Sequence, residues 1–162
     1  YKILSFQNLR WYILLIKGYI MILWFTGQPG SGKTTLAKEI IGKFNHDKVI
    51  HIDGDDLRSV LDNKDYSEKG RRKNVQFAID MAKVMESKNY SVVVSMVSPY
   101  RDMREKLKSE TNVVEFFCHT GKIRGKEEYF VRDYQPPLED FTDIVTDKSL
   151  EESVDEVLNV CR

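Results

Sequence analysis

The stretch Gly27-Gln28-Pro29-Gly30-Ser31-Gly32-Lys33-Thr34 matches the phosphate-binding loop pattern G-x-x-x-x-G-K-[ST] at every fixed position. It follows the apolar run from Ile20 to Phe25 and precedes a helical pattern that starts at Lys33. Glycines in such a loop let backbone N–H groups surround phosphate oxygens, and the helix start points its positive dipole end at them. The sequence therefore predicts a nucleoside triphosphate site on an α/β fold.

The same loop supplies the predicted contacts to ATP and Mg²⁺. Lys33 is expected to neutralise charge on the transferred phosphoryl group, and Thr34 to ligate the metal. A chance glycine-rich turn is the alternative, but the flanking strand and helix patterns are the context that the motif requires. The residues assigned to ATP are Gly27, Gly30, Ser31, Gly32, Lys33, Thr34 and Thr35.

Composition narrows the class of partner. The 162 residues suit one domain, and 25 Lys and Arg balance 25 Asp and Glu. Because the chain has no excess of positive charge, we expect a small-molecule partner rather than nucleic acid or a membrane surface. The two cysteines, Cys118 and Cys161, lack metal-type spacing, so we expect inert thiols in a reducing cytoplasm.

Residues 1–20 are apolar and aromatic, but Lys2, Arg10 and Lys17 interrupt them before a bilayer-spanning length of about 20 residues. We therefore do not predict a transmembrane helix there. We interpret the segment as an N-terminal extension of unknown role, followed by one phosphate-loop domain over residues 21–162. Such an extension can pack on its own domain or against a neighbour, so a homodimer stays open.

Strand and helix patterns alternate after the loop, which predicts a parallel sheet of about five strands with helices on both faces. Between the last two strands, residues 119–140 carry many charges, two adjacent prolines and two glycines, which is typical of a mobile lid. The predicted strands are 20–25, 48–52, 91–97, 112–117 and 143–146. The predicted helices are 33–44, 67–89, 101–109 and 149–160.

An acidic turn follows the second predicted strand. Asp53 and Asp55 leave the carboxyl end of that strand, where ligand-facing residues belong in an open parallel sheet. One carboxylate can orient and deprotonate an attacking hydroxyl, while the other holds Mg²⁺ or its waters. The alternative is a solvated turn in which Asp55 or Asp56 caps a helix.

Four segments, taken in order and approximate spacing, resemble the adenylylsulfate kinase family. They are GQPGSGKTT at 27–35, DGDDLR at 53–58, Tyr66-Ser67-Glu68 followed by Arg71 and Asn74, and Ser98-Pro99-Tyr100-Arg101. The resemblance runs from about Met21 to Val160. It implies the phosphate-loop kinase fold, and an enzyme that uses Mg·ATP to phosphorylate the ribose 3′-hydroxyl of adenosine 5′-phosphosulfate.

The resemblance also implies roles for individual residues. Asp53 would be the general base, and Tyr66, at a position usually held by phenylalanine, would stack on the acceptor base. Arg58, Arg71 and Asn74 would hold the 5′-anionic group and ribose of the acceptor. The expected acceptor-binding set is Asp55, Arg58, Tyr66, Arg71, Asn74 and Ser98, and the expected metal ligands are Thr34 and Asp55.

Two departures from the family fall on the acceptor side. The lid is shorter than the family pattern, and Gly70 replaces a usual aspartate while Gln76-Phe77 replaces a usual arginine pair. A second interpretation is therefore a cytidine diphosphoramidate kinase of capsule synthesis, which has the same chemistry on another acceptor. Lid residues that would cover the phosphates are Lys122, Arg124 and Lys126, and a second aromatic for the base would be Phe130 or Tyr134.

Two further classes compete. A nucleoside monophosphate or small-metabolite kinase would place arginines in the lid, for which Arg124 and Arg132 are the only support. A non-catalytic nucleotide-binding module predicts the loss of Lys33, Thr34 or Asp53, and all three are present. The sequence therefore favours an enzyme, with Asp53 and Lys33 as its catalytic residues.

Overall fold

The structure is a computed structural model that describes residues 20–44 and 47–160. The predictions for the N-terminal extension and for Cys161 lie outside the described residues. Within those two ranges, no helix has the length and apolar character needed to cross a bilayer.

Five parallel strands form one sheet in the described part of the chain, in the order β2-β3-β1-β4-β5. This confirms the predicted architecture. The strands are β1 (Ile22–Thr26), β2 (Val49–Asp53), β3 (Ser91–Ser95), β4 (Val113–His119) and β5 (Phe141–Val145). The helices are α1 (Lys33–Ile41), α2 (Gly54–Val60), α3 (Glu68–Ser87), α4 (Arg101–Glu110) and α5 (Leu150–Val160), with a 3₁₀ turn at Glu127–Tyr129.

The sheet is covered on both faces because successive side chains of a strand point to opposite sides. Trp24 of β1 belongs to the core formed with helices α2, α3 and α4. Its neighbour Phe25 belongs to the core formed with α1 and α5, where its ring stacks on Phe116 at 4.8 Å between centroids. Both central strands, β1 and β3, are buried along their whole length, as expected for a sheet with two covered faces.

Helix α2 was not predicted, and its start corrects the interpretation of the acidic turn. Asp53 itself is the N-cap, with extended backbone, and its carboxylate accepts the backbone N–H of Asp55. The cap is therefore neither Asp55 nor Asp56. The helix has seven residues, of which only Gly54 and Leu57 are buried, so its apolar periodicity is too short to be recognised in the sequence.

The strand order brings the functional segments to one edge. Strand β1 lies between β3 and β4, and β3 separates it from β2. The loops that follow β1, β2 and β3 therefore leave the same carboxyl edge of the sheet side by side. Ligands of open α/β sheets bind outside this edge.

Candidate active site

A cleft with a volume of about 1180 Å³ opens at this edge. Ligand pockets usually measure about 300–1,000 Å³, so the cleft has room for more than one small molecule. Its lining continues without a break from the phosphate loop to the start of α3. The predicted site residues that line it are Gly30, Gly32, Lys33, Thr34, Thr35, Asp53, Asp55, Arg58, Tyr66, Arg71, Asn74 and Ser98.

The phosphate loop takes its shape from two glycines in particular. At Gly27, a Cβ would lie 2.0 Å from the carbonyl oxygen of Cys118, so only glycine lets the loop pass this close to β4. Gly32 caps α1 with a left-handed backbone, φ 85°, which glycine adopts without steric cost. The loop thus turns tightly and directs the start of α1 into the cleft.

Lys33 is held inside this loop. Its Nζ donates to the carbonyl oxygen of Gln28 at 2.7 Å and to the hydroxyl of Ser31 at 3.2 Å. Burial lowers the pKa of Lys33 to about 8, although Cys118, Asp55 and Asp53 act in the opposite direction. An anion placed in the loop would raise this pKa again, because it stabilises the charged ammonium group.

Asp53 meets the phosphate loop directly. The hydroxyl of Thr34 donates to Asp53 Oδ2 at 2.8 Å, and the hydroxyl of Ser95 donates to the same oxygen at 2.7 Å. Burial alone would raise the pKa of Asp53, but these two hydroxyls and the backbone N–H groups of Asp55 and Asp56 outweigh it, so the pKa lies below its usual value. The carboxylate is therefore ionised at neutral pH.

Sequence reasoning missed Ser95. It ends β3 and pairs in register with Asp53 at the end of β2. Since an ionised carboxylate only accepts hydrogen bonds, the Ser95 hydroxyl must point at Asp53. Ser95 therefore accepts from Nε2 of His51, which lies 2.9 Å away. A serine at a strand end was the only available signal, and it becomes informative once the strand order is known.

The residues present fit a magnesium ion. Mg²⁺ prefers hard oxygen ligands and is usually held by one or two carboxylates together with substrate phosphates. The adjacent hydroxyl of Thr34 and carboxylate of Asp53 offer this type of oxygen. In the residues described, no group of three or more His, Cys, Asp or Glu is arranged so that it could hold a metal ion by itself. The side chain of Asp55 is exposed, and only its backbone N–H donates to the carboxylate of Asp53. The role of Asp55 as a metal ligand therefore stays a prediction.

An arginine-aromatic cluster forms the other end of the cleft. Tyr66 is 62% exposed. The guanidinium carbon of Arg58 lies 4.3 Å from the centre of its ring, and that of Arg71 lies 5.5 Å away. Arg71 Nε also donates to the carbonyl oxygen of Tyr66 at 2.8 Å. The structure therefore brings these three predicted acceptor residues together.

Asn74 and Ser98, two further predicted acceptor residues, differ in whether their polar side-chain atoms already have hydrogen-bond partners. Asn74 is buried; its Nδ2 donates to the carbonyl oxygen of Gly54, and its Oδ1 has no hydrogen-bond partner among the described residues. Ser98 is also buried, but its Oγ accepts from Trp24 Nε1 at 2.9 Å and donates to Thr26 at 3.0 Å. The Ser98 hydroxyl thus stabilises the loop from the core side.

The lid lies over the phosphate loop at two points. Arg124 Nη1 donates to the carbonyl oxygen of Gly30 at 3.2 Å. The amide of Gln28 pairs with both backbone groups of Val131, donating to its oxygen and accepting from its N–H at 2.9 Å each. Arg124 and Lys126 line the cleft. Lys122, in contrast, donates to the backbone oxygen of Asp147 and is not part of the lining.

The two candidate lid aromatics lie in different places. Phe130 lines the cleft and is 43% exposed. Tyr134 does not line it; its hydroxyl shares a 2.7 Å hydrogen bond with Thr26, and its ring stacks on Phe117. Burial raises the pKa of Tyr134 to about 12. The hypothesis that Tyr134 contacts the acceptor base is therefore wrong, because the ring packs against β4.

The parallel sheet, the phosphate loop and the adjoining lid together define a phosphate-loop kinase fold. The family model of adenylylsulphate kinase matches residues 19–126, and the chain belongs to this family.

Two relatives agree with this assignment. A probable adenylyl-sulfate kinase of Pseudomonas aeruginosa is 36% identical over 59% of this chain and 47% of its own length. The adenylyl-sulfate kinase of Buchnera aphidicola subsp. Acyrthosiphon pisum is 31% identical over 76% of this chain and 65% of its own length. The chain thus spans about half to two thirds of these relatives.

Among solved structures, the Mycobacterium tuberculosis APS kinase CysC in complex with AMPPNP and APS has a TM-score of 0.72 at 24% identity, covering 88% of this chain and 97% of that one. The hexameric APS kinase from Thiobacillus denitrificans has a TM-score of 0.66 at 22% identity, covering 85% of this chain and 28% of that one. These similarities confirm the predicted fold.

Proposed function

We propose that the protein is an ATP-dependent kinase that transfers the γ-phosphoryl group to the ribose 3′-hydroxyl of adenosine 5′-phosphosulfate. The observation that carries this proposal is a single cleft that joins Lys33, Thr34 and Asp53 to the cluster of Arg58, Tyr66 and Arg71. One end suits a triphosphate, and the other suits a nucleotide with a charged 5′ group. Membership of the adenylylsulphate kinase family supports the same assignment.

At the donor end, the loop N–H groups and the Lys33 ammonium would hold the phosphates of ATP, and Thr34 and Asp53 would provide oxygens for Mg²⁺. When bound, Mg·ATP supplies the phosphoryl group, with the metal neutralising charge on its oxygens. The ionised Asp53 orients the acceptor hydroxyl and takes its proton. The hydroxyl oxygen forms the new bond to phosphorus as the bond from phosphorus to the ADP oxygen breaks, so ADP leaves with that electron pair.

At the acceptor end, the two guanidiniums of Arg58 and Arg71 suit a dianionic 5′ group, since arginine donates in a planar fork. The exposed ring of Tyr66 offers a face for a base, a contact worth about 1–3 kcal/mol. The unpaired Oδ1 of Asn74 is an acceptor for a ribose hydroxyl. A buried oxygen of this type is costly unless a ligand or water donates to it.

The test is an ATP consumption assay with phosphorus NMR of the products, at equal enzyme and Mg²⁺ concentrations. Adenosine 5′-phosphosulfate is compared with cytidine diphosphoramidate as acceptor, and Lys33→Ala is the inactive control. Preference for the sulfated nucleotide, with the new phosphate on the 3′ oxygen, supports the proposal. Preference for the cytidine compound would show that cytidine diphosphoramidate is the acceptor instead. If ATP is consumed with neither compound, both acceptor assignments are wrong.

A further inference from the structure

The loop of residues 63–67 lies directly on the first turn of α3 at Gly70. A Cβ built on Gly70 would lie 2.2 Å from the backbone oxygen of Asp65, 2.4 Å from its Cγ and 2.6 Å from its Cβ. Real Cβ contacts do not come this close, and the nearest atom belongs to the backbone. Gly70 lies within a regular helix, so what it provides is space and not backbone freedom. Any other residue must push the loop away.

The space above Gly70 is used by Asp65 to complete the cap of α3. Ser67 is the N-cap, and its hydroxyl accepts the backbone N–H of Gly70 at 3.3 Å. In a capping box, a Glu or Gln at this third helical position would accept the N–H of the cap residue. Here Asp65 Oδ1 accepts the N–H of Ser67 at 2.8 Å instead. The loop therefore performs the capping that a side chain at position 70 would otherwise perform.

The same loop holds the residues of the acceptor end. Arg58 Nη1 donates to the backbone oxygens of Asn63 and Asp65, at 3.0 Å each. The side chain of Asn63 donates in turn to the backbone oxygen of Gly70 at 3.1 Å. Tyr66 belongs to the loop, and its backbone oxygen accepts from Arg71. Displacing the loop would therefore move all three members of the arginine-aromatic cluster.

We propose that Gly70 is a positioning residue for the acceptor. By leaving room for Asp65, Gly70 keeps the arginine-aromatic cluster of Arg58, Tyr66 and Arg71 in one arrangement. It thereby determines the affinity of the cleft for the acceptor nucleotide. This inference rests on the proposed function for the identity of the acceptor. The packing of loop 63–67 on α3 can be measured without knowing the acceptor.

The test is Gly70→Ala, studied by steady-state kinetics and by amide hydrogen exchange. We expect the KM for adenosine 5′-phosphosulfate to rise about tenfold or more, with the KM for ATP unchanged, because the phosphate loop is not displaced. Exchange at the amides of 63–67 should become faster. Gly42→Ala is the matched control: a Cβ there would meet its nearest atom at 3.5 Å, an ordinary contact, and neither KM should change.

A second variant, Asp65→Ala, keeps the loop backbone on Gly70 and removes the carboxylate that accepts from the N–H and the hydroxyl of Ser67 and attracts the charge of Arg58. We expect a smaller rise in the acceptor KM, about threefold, together with faster exchange at Ser67. Wild-type acceptor KM and wild-type exchange in Gly70→Ala would overturn the inference. If the unmodified protein does not phosphorylate adenosine 5′-phosphosulfate, the proposed function fails, while the exchange measurement still tests the packing.

Discussion

The hydroxyl of Thr34, at the start of α1, donates to Asp53 Oδ2 at 2.8 Å across a separation of 19 residues. This contact joins the phosphate loop to the end of β2. It places a hydroxyl and an ionised carboxylate where the metal of a bound nucleotide would need oxygen ligands. The same carboxylate also caps helix α2, so Asp53 has a structural role in addition to its proposed chemical one.

The two roles of Asp53 can be separated by substitution. Asn is as good an N-cap as Asp, so Asp53→Asn should keep the cap of α2 and lose only the stability that comes from the hydrogen bonds of Thr34 and Ser95 to the carboxylate. Without the charge, we expect turnover to fall by ~10²- to 10⁴-fold, the usual cost of losing a general base. Asp53→Ala should lose turnover and also about 0.5–2 kcal/mol of stability with the cap.

The measurements are kcat at saturating substrates, ATP affinity by calorimetry and urea unfolding. Val60→Ala is a suitable comparison, because Val60 is exposed at the end of the same helix α2 and does not line the cleft. Near-normal turnover in Asp53→Asn would remove Asp53 from the proposed chemistry.

The lowered pKa of Lys33 predicts proton uptake on ATP binding. With a pKa of about 8, Lys33 is about half ammonium at pH 8 in the free protein. Bound phosphates favour the ammonium form, so ATP binding at pH 8 should take up about half a proton at this group. Calorimetry in buffers of different ionisation enthalpy measures this proton uptake. The control is Lys38→Met, an exposed substitution on the same helix, which should show the same proton uptake as the unmodified protein.

The lowered pKa of Lys33 also determines how its contribution to the stability of the folded protein changes with pH. Between about 8 and the ordinary value of 10.5, the unfolded chain binds more protons at Lys33 than the folded protein does. The contribution of Lys33 to folding therefore becomes more favourable as pH rises through this window. ATP binding without proton uptake at pH 8 would contradict the lowered pKa.

Gln28 should control how firmly the lid is held. Its amide pairs with both backbone groups of Val131, which is 5% exposed. In Gln28→Ala these groups lose their partners, at a cost of about 1–3 kcal/mol for each one that stays buried. We expect the lid to open locally instead, with faster hydrogen exchange at Val131 and a higher KM for ATP.

Gln76→Ala provides the control for this experiment. Gln76 is an exposed glutamine that pairs with Asp80 on α3, so its loss should leave the lid unchanged. Unaltered exchange at Val131 in Gln28→Ala would show that the lid is held by other contacts, such as the one between Arg124 and Gly30.

The different placement of Phe130 and Tyr134 predicts different effects. Phe130→Ala should raise the acceptor KM about fivefold or more without loss of stability, if its ring contributes the lower end of a stacking contact, ~1 kcal/mol. Tyr134→Phe removes the hydroxyl that pairs with Thr26 and should lower stability by about 1 kcal/mol. Its acceptor KM should not change. The reverse pattern in kinetics and urea unfolding would contradict the assignment of Phe130 to the cleft.

Much of the fold was predictable because its signals are local. The phosphate loop is a contiguous pattern, so Lys33 and Thr34 could be placed before any tertiary contact was known. Buried strands such as Ser91–Ser95 appear as apolar runs, because a sheet covered on both faces leaves them no solvated side. The alternation of strands and helices then implied a parallel sheet, as the structure confirms.

The tertiary structure decided which side chains meet across the cleft. The pairing of Asp53 with Ser95 depends on the register of β2 against β3, and Tyr134 reaches Thr26 across 108 residues. Ser98 shows the same dependence, because its position alone does not reveal that its hydroxyl bonds Trp24. Contacts between distant segments follow from strand order and packing rather than from local periodicity. The sequence by itself therefore determined the class of fold and the phosphate site. The packing of loop 63–67 on Gly70 could be recognised only in the tertiary structure.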